Sequence, residues 1–182
     1  LAIASLYRKY YPQLKLEVGN CGDSLGVMAA LFRNKFKNSD IDFIGEEWGG
    51  GITKLAEDGL SRNFWSLREL ARKFGYDKPV IANYEWKYRI VEHEGGYRNA
   101  VWSSRDWLVA HAWRSPRIPF TCITDAGNYY HYTVWGSGLL SRYPEAYPHP
   151  AYAAASTMTQ VLDCATLEKQ LDTGSPTVYA LE

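Results

Sequence analysis

Residues Lys78–Arg89, KPVIANYEWKYR, decide how the rest of the sequence is interpreted. In this stretch an apolar run leads into one carboxylate, Glu85, with Tyr84 before it and Trp86 after it. Short apolar runs bounded by turn residues and charges are typical of buried β-strands. We therefore predict a strand over Val80–Tyr84 that presents Glu85 at its carboxyl end.

Strand-like and helix-like segments alternate on both sides of this stretch. The predicted strands are Leu14–Val18, Ile41–Ile44, Val80–Tyr84 and Phe120–Thr124. The predicted helices are Leu1–Tyr11, Asp23–Phe36, Asn63–Phe74, Tyr97–Trp113 and Pro150–Leu162. This alternation indicates an α/β fold with parallel strands and right-handed crossovers, either a doubly wound sheet or part of a (β/α)8 barrel. No GxGxxG motif follows a predicted strand, so a nucleotide-binding fold has no specific support.

Two of the predicted helices have apolar stripes that we expect to face the core. In the helix that begins near Asp23 the stripe is Leu25, Met28, Leu31 and Phe32. In the helix that begins at Tyr97 it is Val101, Leu108 and Ala112.

The charges and the metal-binding residue types exclude several classes of partner. Basic and acidic residues both number 20, and no long basic run occurs, so neither nucleic acid nor a membrane surface is an expected partner. No apolar run reaches the roughly 18 residues of a membrane span. The three cysteines and the four histidines lack the spacing of a metal site. We predict neither a metal nor a cofactor.

Aromatic residues are abundant, with 7 tryptophans and 14 tyrosines. Many lie near glycine, asparagine and aspartate, in stretches that resemble loops. Flat rings in loops suit the apolar faces of sugars, whereas packing within a core is the alternative.

Polar and aromatic residues follow each of the four predicted strands. In parallel α/β folds the active site lies at the carboxyl ends of the strands, so we expect these side chains to share one rim. The candidates are Asn20 and Asp23 after the first strand, Glu46, Glu47 and Trp48 after the second, Glu85 and Trp86 after the third, and Asp125, Asn128, Tyr130, His131 and Trp135 after the fourth.

Each candidate also has a purely structural interpretation. Glu85 is either a catalytic carboxylate or an ion-pair partner of Lys87 or Arg89, and strand alternation puts Asn83 on its face as an orienting group. Asn20 is also suited to capping the following helix. For Trp48 and Trp135 the alternative is packing, and for His131 it is a hydrogen-bonded loop.

Glu46 and Glu47 are adjacent, so on a strand their side chains point to opposite faces. Only one of them faces the pocket well, and we favour Glu47 because we expect the strand to continue.

The order of these motifs resembles the second half of retaining (β/α)8 glycoside hydrolases, which carry two catalytic glutamates on strands four and seven. YYPQLKLEVGN is similar to strand five, SDIDFIGEEW to strand six, KPVIANYEW to strand seven and IPFTCITDAGNYYHYTVWG to strand eight. The apolar run followed by Glu and Trp resembles the strand-seven signature. The long aromatic stretch after strand eight departs from the family pattern.

The resemblance implies that Glu85 is the nucleophile and that the substrate is an oligo- or polysaccharide. It implies substrate contacts from Asn20, Glu47, Trp48, Asn83, Trp86, Asp125, Tyr130, His131 and Trp135, with Trp135 as the floor under the sugar. The family's acid/base ends strand four in an Asn-Glu pair, which does not occur here and is expected upstream.

The resemblance also implies a division of the chain. Residues 1–164 correspond to the C-terminal half of the barrel, about strands five to eight, and residues 165–182 to the start of an all-β accessory sandwich. We expect this piece to be inactive alone and to need the N-terminal half of the barrel as its partner. The sequence specifies no location, although a secreted or periplasmic protein is compatible with it.

Two other functions stay open at this point. One is a non-catalytic, carbohydrate-binding relative of the barrel that keeps the aromatic cleft. The other is an unrelated α/β enzyme with an acidic Glu46/Glu47 site that uses a divalent cation.

Overall fold

The structure of this chain is a computed structural model. It describes residues 2–19, 24–34, 37–48, 59–85, 97–118, 123–128, 133–135, 138–175 and 180–182. Within these ranges the chain is a mixed α/β fold with five α-helices and a small parallel sheet. None of the described helices is long and apolar enough to cross a membrane.

The order of helices and strands follows the predicted alternation. The helices are α1 (Ala2–Tyr10), α2 (Ser24–Arg33), α3 (Gly59–Lys73), α4 (Tyr97–Ala112) and α5 (Pro150–Leu162), with a 3-10 turn at Asn38–Asp40. The strands are β1 (Glu17–Val18), β2 (Phe43–Trp48), β3 (Val80–Glu85), β4 (Ala126–Asn128), β5 (Thr133–Trp135), β6 (Gln170–Leu171) and β7 (Ala180–Leu181).

Strands β1, β2 and β3 form one parallel sheet in sequence order. Glu17 of β1 is opposite Phe43 of β2, and Ile44 of β2 is opposite Val80 of β3. Parallel pairing of consecutive strands requires a crossover between them, and α2 and α3 supply these crossovers. The predicted parallel arrangement is therefore confirmed for these three strands.

Strand β2 begins and ends at later residues than we predicted. We predicted a strand over Ile41–Ile44 and expected it to continue into the glutamates. The strand begins at Phe43, two residues later than predicted, and it does continue through Trp48. The residues from Gly45 onward pair with Ile81–Glu85 of β3, so an extended partner holds a polar segment in strand conformation. Ladder hydrogen bonds therefore override the low strand propensity of Gly-Glu-Glu.

Residues on one face of the sheet form the main core. Side chains from α2, α3 and α4 join strand residues in a single buried cluster that includes Met28, Phe32, Ile44, Leu60, Phe64, Leu67, Val80, Ala82, Val109 and Ala110. The helices that follow β1, β2 and β3 therefore pack on the same face of the sheet.

Two predicted apolar stripes are only partly correct. In α2, Met28 and Phe32 are buried, but Leu25 is exposed. In α4, Val101 and Leu108 are exposed, and the buried face instead contains Asn99, Ala100, Ser103, Asp106, Trp107, Val109 and Ala110. Helix α4 lies between α3 and α5, and small residues let it approach both neighbours closely. Apolar periodicity alone therefore selects the wrong face.

Helix α1 was predicted correctly, but its apolar stripe is not buried. Ile3, Leu6 and Tyr10 are exposed, and polar contacts fix the helix instead. The guanidinium of Arg8 donates to Asp42 at 2.8 Å, and the same carboxylate oxygen accepts the backbone N–H of Leu16 at 2.8 Å.

The C-terminal third combines a helix with two short hairpins. The start and end of α5 were predicted, and β6 pairs antiparallel with β7 as expected. The stretch that we predicted to be a loop contains the antiparallel pair β4–β5. Of the predicted fourth strand, residues 120–122 lie outside the described ranges, and Thr124 forms a parallel bridge with Leu140.

Candidate functional site

The carboxyl ends of β2 and β3 lie side by side. Glu47 is opposite Tyr84, and Trp48 is opposite Glu85, the last residue of each strand. Three predicted site residues, Glu47, Trp48 and Glu85, therefore have their backbones at one edge of the sheet. This agrees with the expectation that strand ends meet at a common rim.

Strand β1 leaves the sheet at a close contact between two glycines. Gly19 has a φ of +132°, and a Cβ atom added there would lie 2.2 Å from the carbonyl oxygen of Gly45. Only glycine is compatible with both the backbone angle and this separation. The contact fixes how the chain turns from β1 toward the rim, and Asn20, the next residue, lies outside the described ranges.

The two adjacent glutamates on β2 have different surroundings. Glu46 is completely buried, and its Oε1 accepts a hydrogen bond from Nδ2 of Asn63 on α3 at 3.0 Å. Glu47 is partly exposed. Because neighbouring strand residues alternate, a Glu46 side chain on the helix face puts Glu47 on the opposite face. The role of Glu47 as a pocket residue stays a prediction.

Asn83 interrupts the regular pairing of β3. Glu46 is opposite Ala82 and Glu47 is opposite Tyr84, so Asn83 is an extra residue in β3, a β-bulge. The alternation that we used to put Asn83 on the face of Glu85 therefore does not continue unbroken through this strand. Bulges are over-represented next to active sites, where they re-aim a side chain.

A polar network joins Asn83 to the first strand. Nη2 of Arg117 donates to Oδ1 of Asn83 at 2.9 Å and also to the carboxylate of Glu17 on β1. Burial raises the pKa of Glu17, and the positive charge of Arg117 offsets part of that rise. One guanidinium thus connects the two outer strands of the sheet.

The backbone around Arg117 is fixed by Ser115. The hydroxyl of Ser115 accepts the N–H of Ala82 at 2.9 Å and donates to the carbonyl oxygen of Arg117 at 2.5 Å. Residues 115–117 therefore lie along the edge of β3 that faces away from β2.

Asp125 anchors the loops near the end of the predicted fourth strand. Its Oδ2 pairs with Nε2 of His149 at 2.8 Å, and its Oδ1 accepts the N–H of Gly138 at 3.0 Å. Side chains of both Asp125 and His149 are about nine-tenths buried. A Cβ on Gly138 would lie 2.4 Å from the carbonyl carbon of Thr124, so this approach also requires glycine. Both oxygens of Asp125 are engaged within the protein, and its contact with a substrate stays a prediction.

The other aromatic candidates are less fully described. The backbone of Trp135 lies in β5 opposite Ala126. Trp86, Tyr130 and His131 lie outside the described ranges. Their predicted contacts with a sugar stay predictions.

Sequence inspection missed Arg117 and His149. Both lie in proline-rich segments, SPRIP and YPHP, where we saw only helix boundaries. A single basic residue between prolines does not indicate its partner, because that partner is distant in sequence. Glu17, a charge within a predicted buried strand, was the signal that a cation had to be near.

Within the described ranges, no group of three or more His, Cys, Asp or Glu side chains is suited to hold a metal ion. No protein-family model, curated protein or solved structure matches the chain. The resemblance to retaining glycoside hydrolases therefore rests on the sequence motifs alone.

Proposed function

We propose that the chain is the nucleophile half of a retaining glycoside hydrolase, with Glu85 as the nucleophile. The observation that carries this proposal is the position of Glu85 at the end of β3, beside the end of β2, in a sheet of consecutive parallel strands. Active sites of such folds lie at this edge.

The sheet supports a partial (β/α)8 barrel better than a doubly wound fold. In a doubly wound sheet the strand order reverses and helices cover both faces. Here the order is β1-β2-β3, and the helices after these strands pack on one face. The other face has the polar groups Glu17, Asn83 and Arg117, as expected of the inward face at the rim of a barrel.

The chemistry divides between Glu85 and a second carboxylic acid. The ionised carboxylate of Glu85 attacks the anomeric carbon as the glycosidic C–O bond breaks, and an acid about 5–5.5 Å away protonates the leaving oxygen. Water then attacks the glycosyl-enzyme, gives its proton to the second residue and releases Glu85. We place that second residue in the other half of the barrel.

Asn83 and Arg117 support this role by fixing hydrogen-bonding groups near the strand end. Because Arg117 donates to Oδ1 of Asn83, the amide group is oriented with Nδ2 as its donor side. An amide N–H two residues before Glu85 is suited to a carboxylate or a sugar hydroxyl.

The test is the Glu85→Gln substitution in the chain completed with the other half of the barrel. We expect turnover of aryl glycosides to be abolished while sugar binding is kept, because the amide has the same shape but is not a nucleophile. Glu47→Gln is the matched control and should keep measurable turnover. A fluorinated glycosyl fluoride, which traps the intermediate, should label the peptide that contains Glu85.

Four outcomes would contradict the proposal. Unchanged turnover in Glu85→Gln would favour a different nucleophile. Sugar binding without turnover in the native chain, with no effect of Glu85→Gln on that binding, would favour a non-catalytic relative. Loss of activity on chelation would favour a metal-dependent acidic site, although burial of Glu46 against Asn63 gives that site little support. Full activity of residues 1–182 alone would refute the half-barrel.

A further inference from the structure

A cavity of about 410 Å³ lies between α4 and α5, among the helices rather than at the strand ends. Its walls are mostly apolar and include Trp107, Leu139, Met158 and Leu162. None of the sugar-contact candidates that the structure describes lines it. Cavities of this size with apolar walls and few polar groups are typical of small-molecule sites.

His111 is a polar group of the cavity that is open to a ligand. It is half-buried, and within the described ranges its side chain has no hydrogen-bond partner. Burial lowers the pKa of His111, so at neutral pH the ring is uncharged. A neutral imidazole offers one donor and one acceptor. By contrast, the Thr159 hydroxyl already bonds the carbonyl oxygens of Ala155 and Ser156, at 3.0 and 2.9 Å.

The charges around the cavity select against ionised ligands. Asp163 lines the same cavity and repels anions, while the uncharged ring of His111 gives an anion no counter-charge. Asp163 attracts a cation, but its side chain is exposed and water screens its charge, whereas the apolar walls strip part of a cation's hydration. Trp107 and Met158 favour an aromatic ring, because indole and thioether groups both pack well against one.

We propose that this cavity binds a small, uncharged aromatic molecule whose single hydroxyl or ring N–H forms a hydrogen bond with His111. The proposal is independent of the glycosidase proposal, because it uses neither Glu85 nor the strand ends.

The first experiment titrates the full chain with 4-ethylphenol and with ethylbenzene, using ligand-observed NMR. We expect both to bind and 4-ethylphenol to bind more tightly. His111→Phe keeps the ring but removes the hydrogen bond, so the affinity for 4-ethylphenol should fall about fivefold while that for ethylbenzene stays unchanged. Equal losses for both probes, or no loss, would overturn the assigned role of His111.

The second experiment fills the cavity. Ala155 lines the cavity, whereas Ala153 on the same helix is exposed, so Ala155→Trp and Ala153→Trp form a matched pair. We expect Ala155→Trp to abolish binding of 4-ethylphenol and Ala153→Trp to leave it unchanged. Equal binding by both variants, or binding of 4-ethylbenzoate as tight as that of 4-ethylphenol, would overturn the proposal.

Discussion

The two faces of the β1-β2-β3 sheet are built on different principles. On the helix face, Ile44, Val80 and Ala82 are fully buried against α2, α3 and α4. On the other face, Glu17 and Asn83 are joined through Arg117, whose side chain is more than half exposed. Apolar packing therefore positions the helix face, whereas on the other face hydrogen bonds between charged and polar groups act together with the buried side chain of Ile81.

Because the two faces are built differently, substitutions can separate stability from function in this molecule. Alternate residues of the same strand belong to opposite faces, so a change on one face leaves the other largely in place. We expect substitutions on the helix face to reduce the free energy of unfolding strongly. Substitutions of the polar groups on the other face, Glu17, Asn83 and Arg117, should change the free energy of unfolding little and the proposed activity more.

The largest expected effect is on the helix face. Phe64 is completely buried and stacks on Trp113, so Phe64→Ala should reduce the free energy of unfolding by about 3–5 kcal/mol. Trp65, its neighbour on α3, is 57% exposed, and Trp65→Ala should cost less than about 1 kcal/mol. Urea unfolding followed by circular dichroism measures both. Similar losses in the two variants would contradict the role of apolar burial in stabilising the helix face.

The glycine contact between β1 and β2 should give the next largest effect. Gly19→Ala adds a Cβ that meets the carbonyl oxygen of Gly45 and has an unfavourable φ, so we expect a loss of about 2–4 kcal/mol. Gly75 also has a positive φ, of +78°, but nothing lies within 4 Å of its added Cβ. Gly75→Ala therefore isolates the cost of the backbone angle, about 1 kcal/mol. Equal losses in the two variants, measured by urea unfolding, would show that the close approach has no cost.

The sequence predicted the helix face better than the polar face, for a physical reason. Local signals such as the apolar run of β3 and the Pro150 start of α5 gave the strands and helices, because these depend on near neighbours. The contact of Arg117 with Glu17 joins residues a hundred positions apart, and no local pattern encodes it. The bulge at Asn83 likewise depends on pairing with β2, and the burial of Glu46 depends on its contact with Asn63 of α3.

Removal of Arg117 should separate stability from function. Arg117→Met keeps part of the side-chain bulk but loses the bonds to Glu17 and Asn83. Because the guanidinium is largely exposed, we expect a loss of about 1 kcal/mol or less in stability. In the completed barrel, turnover should fall more than this loss explains, because the amide of Asn83 is no longer oriented. Arg142→Met, at an exposed position, is the control. Unchanged turnover in Arg117→Met would remove the functional role of this network.

The smallest expected effect is on the pH dependence of the free energy of unfolding, to which Glu17 and Asp42 should contribute with opposite signs. Burial raises the pKa of Glu17 above its ordinary value. The contribution of Glu17 to stability is therefore fully present when the pH is below that ordinary pKa, and it is lost as the pH rises. For Asp42, burial acts in the same direction, but hydrogen bonds from Leu16 and Arg8, with the charges of Arg8 and Lys15, lower its pKa overall. Its contribution is therefore present above the ordinary value and is lost as pH falls.

Urea unfolding at about pH 4 and about pH 7 tests this contrast between Glu17 and Asp42. Relative to the native chain, Glu17→Gln should gain stability as pH rises, because the amide avoids the cost of a buried charge. Asp42→Asn should lose stability over the same interval, because the native carboxylate gains its bonds to Arg8 and Leu16 as it ionises. Each change should be about 1 kcal/mol or less. Slopes of the same sign would mean that Arg117 compensates the burial of Glu17 fully, and the polar face would then contribute to stability as the Arg8–Asp42 pair does.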